Sequence, residues 1–206
     1  MFRFAIPAVV ACAIGALAIA PGAFAAPPAA EELNPPPPDF LTCKALGAGT
    51  ICTGSRQEVK VSEPQSELVC GSGAEAFTIH DNAVVTQRVI RWYDTNGDLT
   101  RRVIRERWKP AFWSNPLTGE TVPYTQNQKA TTVLAVPGDF DSATETMVGE
   151  NIYTDPDTHR KVLRSTGRVV FGADGELDFR AGQQWFVDAF IDGDMSVLDD
   201  VCAALA

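Results

Sequence analysis

Arg88, Arg91, Arg101, Arg102, Arg105, Arg107 and Lys109 place seven cations between Val84 and Lys109, against only Asp94, Asp98 and Glu106. A guanidinium is a planar fork of donors matched to carboxylate and phosphate, so Arg91, Arg101 and Arg105 are the first candidate site, for an anion or a carboxylate-bearing ligand. Asp94-Thr95-Asn96-Gly97 reads as a hairpin turn. With Gly97 left-handed, Tyr93 is expected opposite Leu99, Arg91 opposite Arg101, Val89 opposite Val103 and Gln87 opposite Arg105. Like charges directly opposite destabilise a sheet. Arg91 and Arg101 therefore need carboxylates or an anionic ligand. Residues 137–206 carry 14 acids and five bases, so ordinary ion pairing across the fold competes with the ligand reading. Trp92 and Trp108 flank the cations as candidate ligand-lining rings and, with Trp113 and Trp185, are the rings that could line a cavity, although aromatics at strand spacing more often build core than pocket.

Other chemistry has little material. His80 and His159 are the only histidines, and His80-Asp81 is the only pairing of His with a neighbouring acid, a candidate general base. No Gly-x-Ser-x-Gly elbow, His-Glu-x-x-His helix, Walker loop or dinucleotide fingerprint occurs. A paired-carboxylate hydrolase stays open, because two acids can converge from anywhere in a sheet. Asp94-Thr-Asn96-Gly-Asp98 begins like a calcium loop, but Leu99 and Arg105 stand where Gly and Glu are needed. No metal and no cofactor is expected.

These side chains belong to an exported chain. Residues 1–25 read as a signal peptide: Arg3, an apolar run from Phe4 to Ala20, and Ala23-Phe24-Ala25 before the cut. Val9-Val10-Ala11-Cys12 resembles a lipobox, but the apolar stretch lies after the cysteine rather than before it. Residues 26–40, with Asn34-Pro-Pro-Pro-Pro-Asp39, form a Pro-rich linker, and 41–206 a single domain. Cys43, Cys52, Cys70 and Cys202 make two disulfides in an oxidising compartment. The preferred pairing is Cys52–Cys70 and Cys43–Cys202, with a hairpin near Ser62–Gln65 setting the first pair opposite each other.

Short runs of Val, Ile, Thr and aromatics predict strands at 50–54, 56–62, 67–71, 75–80, 83–93, 99–109, 121–136, 144–154, 161–172 and 176–181. Pro110, Pro116, Pro123 and Pro137 belong at strand ends or sheet edges. After Gly182 the period turns helical through Trp185, Phe186, Ala189 and Phe190. Ser196 with Asp199 resembles a capping box before a last helix carrying Leu198, Val201, Cys202 and Leu205. The fold expected is mainly β: an antiparallel up-and-down barrel or strongly curved meander with one or two short C-terminal helices.

Tyr93-Asp-Thr-Asn-Gly-Asp-Leu99 with Arg101-Arg102-Val103, Asn115-Pro-Leu-Thr-Gly-Glu-Thr-Val-Pro123 and Gly182 to Leu205 resemble small secreted bacterial β-rich proteins of actinobacterial type, of unknown function. That resemblance implies no activity and no site residue. The Tyr-Asp-x-x-Gly-x-Leu piece is also similar to the repeat unit of YD/RHS-type proteins, where a single copy marks a hairpin.

The expected product is a secreted, disulfide-stabilised binding domain for a small molecule or a cell-envelope partner. The net charge of −9 argues against nucleic acid, and no stable membrane insertion is expected after leader cleavage. A barrel-type isomerase, cyclase or hydrolase using carboxylates or His80 with an Arg anion site is the alternative, and an inhibitor or adhesion module the third class.

Overall fold

The computed structural model describes residues 32–47 and 49–206; the expected signal peptide and the first part of the expected linker lie outside the described residues. Eight strands succeed one another: β1 (Thr42–Leu46), β2 (Gly49–Cys70), β3 (Phe77–Tyr93), β4 (Leu99–Ser114), β5 (Thr121–Leu134), β6 (Ala143–Thr154), β7 (Lys161–Phe171) and β8 (Leu177–Gln183). Two short helices follow, α1 (Trp185–Phe190) and α2 (Asp199–Leu205). Each strand pairs antiparallel with the next, in the order β1 to β8.

β1 and β8 do not pair with each other, so the sheet is an open meander and not a closed barrel. Chain ends do what closure would have done, covering the inner side of the sheet. At one end Leu33 and Leu41 join Cys52, Val89, Tyr93, Leu99 and Leu134 in a small core. At the other, Trp185, Ala189, Leu198, Val201 and Leu205 from the helical segment pack on Ile79, Trp113, Val122 and Tyr153. Asn115 Nδ2 donates to the Leu205 carbonyl at 2.9 Å, satisfying an oxygen that the end of α2 would leave orphaned.

Ten expected strands become fewer, longer ones. β2 absorbs 50–54, 56–62 and 67–71, and β3 absorbs most of 75–80 and all of 83–93. The expected breaks are bulges: the β2–β3 register slips between Lys60 and Glu63 and again between Pro64 and Val69. Pro110 lies inside β4 at another slip, where a missing N–H costs no ladder bond. The hairpin expected near Ser62–Gln65 does not exist. β1, an exposed edge strand, carries too little alternation to be legible.

Both disulfides differ from the preferred pairing. Cys43 joins Cys52, its direct partner in the β1–β2 ladder, with Cα atoms 4.0 Å apart. Cys70 joins Cys202 and straps α2 to the end of β2. With Ser62–Gln65 continuing the strand, Cys52 and Cys70 sit near opposite ends of β2 and cannot meet. At the C-terminus, Asp194 rather than Ser196 acts as cap, accepting from Ser196 N at 3.2 Å.

Three glycines form one row across the sheet. Gly149, Gly167 and Gly182 are lateral neighbours on β6, β7 and β8. Gly167 (φ 141°) and Gly182 (φ 85°) take backbone angles that residues with a Cβ rarely adopt, and a Cβ on either would run into the opposing strand's carbonyl.

Candidate functional site

Phe77, Ile79, Asp81, Ala83 and Val85 alternate along β3 toward the concave side, and all five are buried. Asp81 is therefore a carboxyl in an apolar row, only 4% exposed. Its ladder partner on β4 is Trp113, which opposes Val122 on β5; two residues further along β5 lies Tyr124, opposite Tyr153 on β6. The Tyr124 hydroxyl donates to Asp81 Oδ1 at 2.7 Å. The rings pack together: Tyr124 stacks on Tyr153 at 4.8 Å, Trp113 lies 4.4 Å from Tyr153, and Trp185 of α1 stands edge-on to Trp113 at 5.6 Å.

Beside this group lies a cavity of about 330 Å³, within the range of small-molecule sites. One wall is Pro64–Leu68, the stretch of β2 between register positions. Trp108, Gln126, Phe190 and Asp81 also line it. Trp185 also faces it, and among the described residues its buried indole N–H has no hydrogen-bond acceptor.

Burial raises the Asp81 carboxyl above its ordinary value, against the opposing pull of the Tyr124 hydrogen bond and the Lys60 charge. Burial, then the Asp81 charge, raises the Tyr124 and Tyr153 hydroxyls as well. Burial works to lower Lys60, but its 2.9 Å bond to Glu63 and the charges of Glu63, Asp81 and Glu58 outweigh that and raise it. Lys60 also lies over the Trp108 ring at 5.0 Å. The site is thus a cavity of mixed aromatic and polar lining with a carboxyl held toward its neutral form, and with an orphan N–H and an ion pair close by.

Above the cavity, one lateral row carries Arg56, Gln87, Glu106 and Gln128. Glu106 collects donors from Gln87, Gln128 and Trp108, and Gln126 extends the chain to Gln128 at 2.9 Å. A hydrogen-bonded belt thus borders an aromatic cavity, an arrangement suited to a molecule with one apolar and one polar part.

The Arg cluster expected from the hairpin does not gather at one point. Thr100 is an extra residue in β4, its hydroxyl bonded to Trp92 O at 3.1 Å, and the bulge moves the register by one. Tyr93 does oppose Leu99, but Arg91 opposes Arg102, Arg88 opposes Arg105, and Gln87 opposes Glu106. Arg91 shares the concave side and donates to Pro36 O at 3.1 Å and to the Tyr93 hydroxyl at 3.3 Å. Arg102 pairs with Glu145 at 3.4 Å. Arg101 is on the convex side over Trp92, 5.0 Å from the ring, and Arg105 is convex and exposed. Of the rings expected to line a cavity, Trp108, Trp113 and Trp185 do so, whereas Trp92 and the arginines Arg91, Arg101 and Arg105 do not reach it.

His80, next to Asp81 on β3, points to the other face. Its Nδ1 lies 2.7 Å from the Ser62 hydroxyl. Ser62 sits at a β2 bulge with φ 51° and donates its N–H to Asn82 Oδ1. The Asp94 carboxylate that began the calcium-like motif accepts from Asn96 N and Asp98 N, an ordinary turn role.

Asp81, Tyr124 and Tyr153 belong to no motif. The one signal in the sequence is periodic: Asp81 stands where alternation from Phe77 to Val85 demands an apolar side chain, and a buried acid in such a row needs a reason. Comparison with protein-family models, curated proteins and solved structures finds no match to this chain, so residue chemistry alone must carry the functional reading.

Proposed function

We propose that this protein is a binding domain that holds a small amphipathic molecule in the concave cavity beside Asp81. Two disulfides in a β-sheet domain are consistent with an extracellular, disulfide-stabilised protein. Among the described residues no helix is long and apolar enough to cross a membrane. The reading rests on one observation: the 330 Å³ cavity is lined by Asp81 and by Trp185, whose buried indole N–H has no acceptor among the described residues. A ligand hydroxyl can donate to the carboxyl and accept from the indole, while its apolar body lies against Trp108 and Phe190.

Titration with N-phenyl-1-naphthylamine, a neutral apolar fluorophore with one N–H, tests it. Saturable emission gain at one site is expected in the oxidised protein, and its loss in Gln126→Trp, which puts a larger side chain in the lining while the far-UV spectrum stays unchanged. Equal binding by both proteins ends the proposal.

A second reading, catalysis, has one observation in its favour, the raised carboxyl of Asp81 inside a cavity. It would use Asp81 as acid or base with Tyr124 as its positioning partner. His80 belongs to neither version, because it lies on the opposite face.

A further inference from the structure

The convex side of the sheet carries a second feature, independent of the cavity. Arg88 on β3 opposes Arg105 on β4, Arg105 opposes Lys129 on β5, Lys129 opposes Val148 on β6, and Val148 opposes Arg168 on β7. Four cations thus stand in one row perpendicular to the strands, all exposed. Arg107 and Asn127 form the next rung. Two shallow troughs follow this course and share Asn127 and Val148. Among the described residues no ion pair includes Arg88, Arg105, Arg107, Lys129 or Arg168. Of the two acids lining the troughs, Glu150 is taken by Arg164 at 3.1 Å, and Glu106 accepts from Gln87, Trp108 and Gln128.

In a chain with 26 acids and 17 bases, carboxylates are not scarce. Three like charges directly opposite one another on adjacent strands destabilise the sheet, and no acid has been placed to relieve them. We infer that this row docks a linear acidic polysaccharide, laid across the strands with its carboxylates on successive cations. Adjacent strands set the cation stems about 4.8 Å apart, a repeat that a polymer with one carboxylate per sugar can follow. Exposed Asn127 and Thr86 beside the row supply hydrogen bonds for sugar hydroxyls. Nucleic acid fits less well, because no aromatic side chain lines either trough and Phe179, beside the end of the row, already lies under Arg168 at 5.5 Å.

The test is affinity electrophoresis and calorimetry of the full oxidised protein with polygalacturonate, at about 50 and about 200 mM salt. Arg88→Gln/Arg105→Gln/Lys129→Gln is compared with Lys44→Gln/Lys109→Gln/Lys161→Gln, which loses the same charge elsewhere. The first variant is expected to bind about tenfold or more weakly and the second like wild type, with affinity falling as salt rises. Removing like-charge repulsion should leave the first variant's melting temperature unchanged or higher, so a loss of binding is not a loss of fold. Equal binding of the fully methyl-esterified polymer, equal weakening in both variants, or tighter binding of a single-stranded oligonucleotide overturns the inference. So does salt-sensitive self-association that the row variant abolishes, since the row would then serve a second copy.

Discussion

The two disulfides close loops of very different length, and this gives a prediction with a number. Cys70–Cys202 spans 132 residues and Cys43–Cys52 spans nine. Loop-closure entropy assigns the first about 5 kcal/mol and the second about 2.5 kcal/mol. Cys52 and Cys70 are both fully buried, so the small cavity made by alanine is similar at the two sites and largely cancels. Urea unfolding of Cys70→Ala/Cys202→Ala and Cys43→Ala/Cys52→Ala, followed by tryptophan fluorescence, should show the first variant less stable by about 2 kcal/mol or more. Neither variant should contain a thiol reactive under native conditions, because each loses one whole bridge and keeps the other. With Cys52–Cys70 and Cys43–Cys202 pairing, each variant would break both bridges and leave two thiols. Equal destabilisation of the two variants, or free thiols in either, refutes the strap assigned to α2.

Two further outcomes follow from burial and backbone geometry. Because burial raises the folded Asp81 carboxyl above 3.8, its protonated form is the one folding favours; that contribution is complete below the unfolded value and is lost as pH rises through the folded one. Asp81→Asn should therefore gain stability relative to wild type with rising pH and then level off, by about 1.4 kcal/mol for each pH unit separating the two values; a difference flat in pH, measured by urea unfolding, would remove Asp81 from its apolar setting. Gly167→Ala brings a Cβ against the Ala181 carbonyl on β8 at a φ of 141°, so it should cost more than about 1 kcal/mol and speed amide exchange in β7 and β8, whereas an unchanged melting curve would contradict this close approach.

Local signals in the sequence translated well where they were self-contained. Asp94 to Gly97 formed its turn, with Gly97 N donating to Asp94 O at 3.2 Å, and the change of period after Gly182 became α1 and α2. Meander order followed from the spacing of turns. Long-range outcomes were not legible. Closure depends on whether β1 and β8 meet, and the packing of Leu33 and of α2 against the concave side covers the inner face without it. The one-residue bulge at Thr100 rearranged every Arg pair behind it, and nothing in Leu99-Thr-Arg-Arg marks that slip. Cysteine pairing failed because Ser62 to Gln65 bends without reversing. Asp81 was visible as an acid beside His80, but its meaning lay in the alternation around it. Its partners Tyr124 and Tyr153 come from strands that only the folded sheet brings alongside.

Crystals of the oxidised protein soaked in 4-bromophenol, a flat ring with one hydroxyl, test the cavity directly through the anomalous signal of bromine. One strong peak is expected between Trp108 and Phe190, with the phenol oxygen within hydrogen-bonding reach of Asp81 or Trp185 Nε1. Bromine only on the convex face, or side chains of Pro64–Leu68 filling the space beside Asp81, would contradict it.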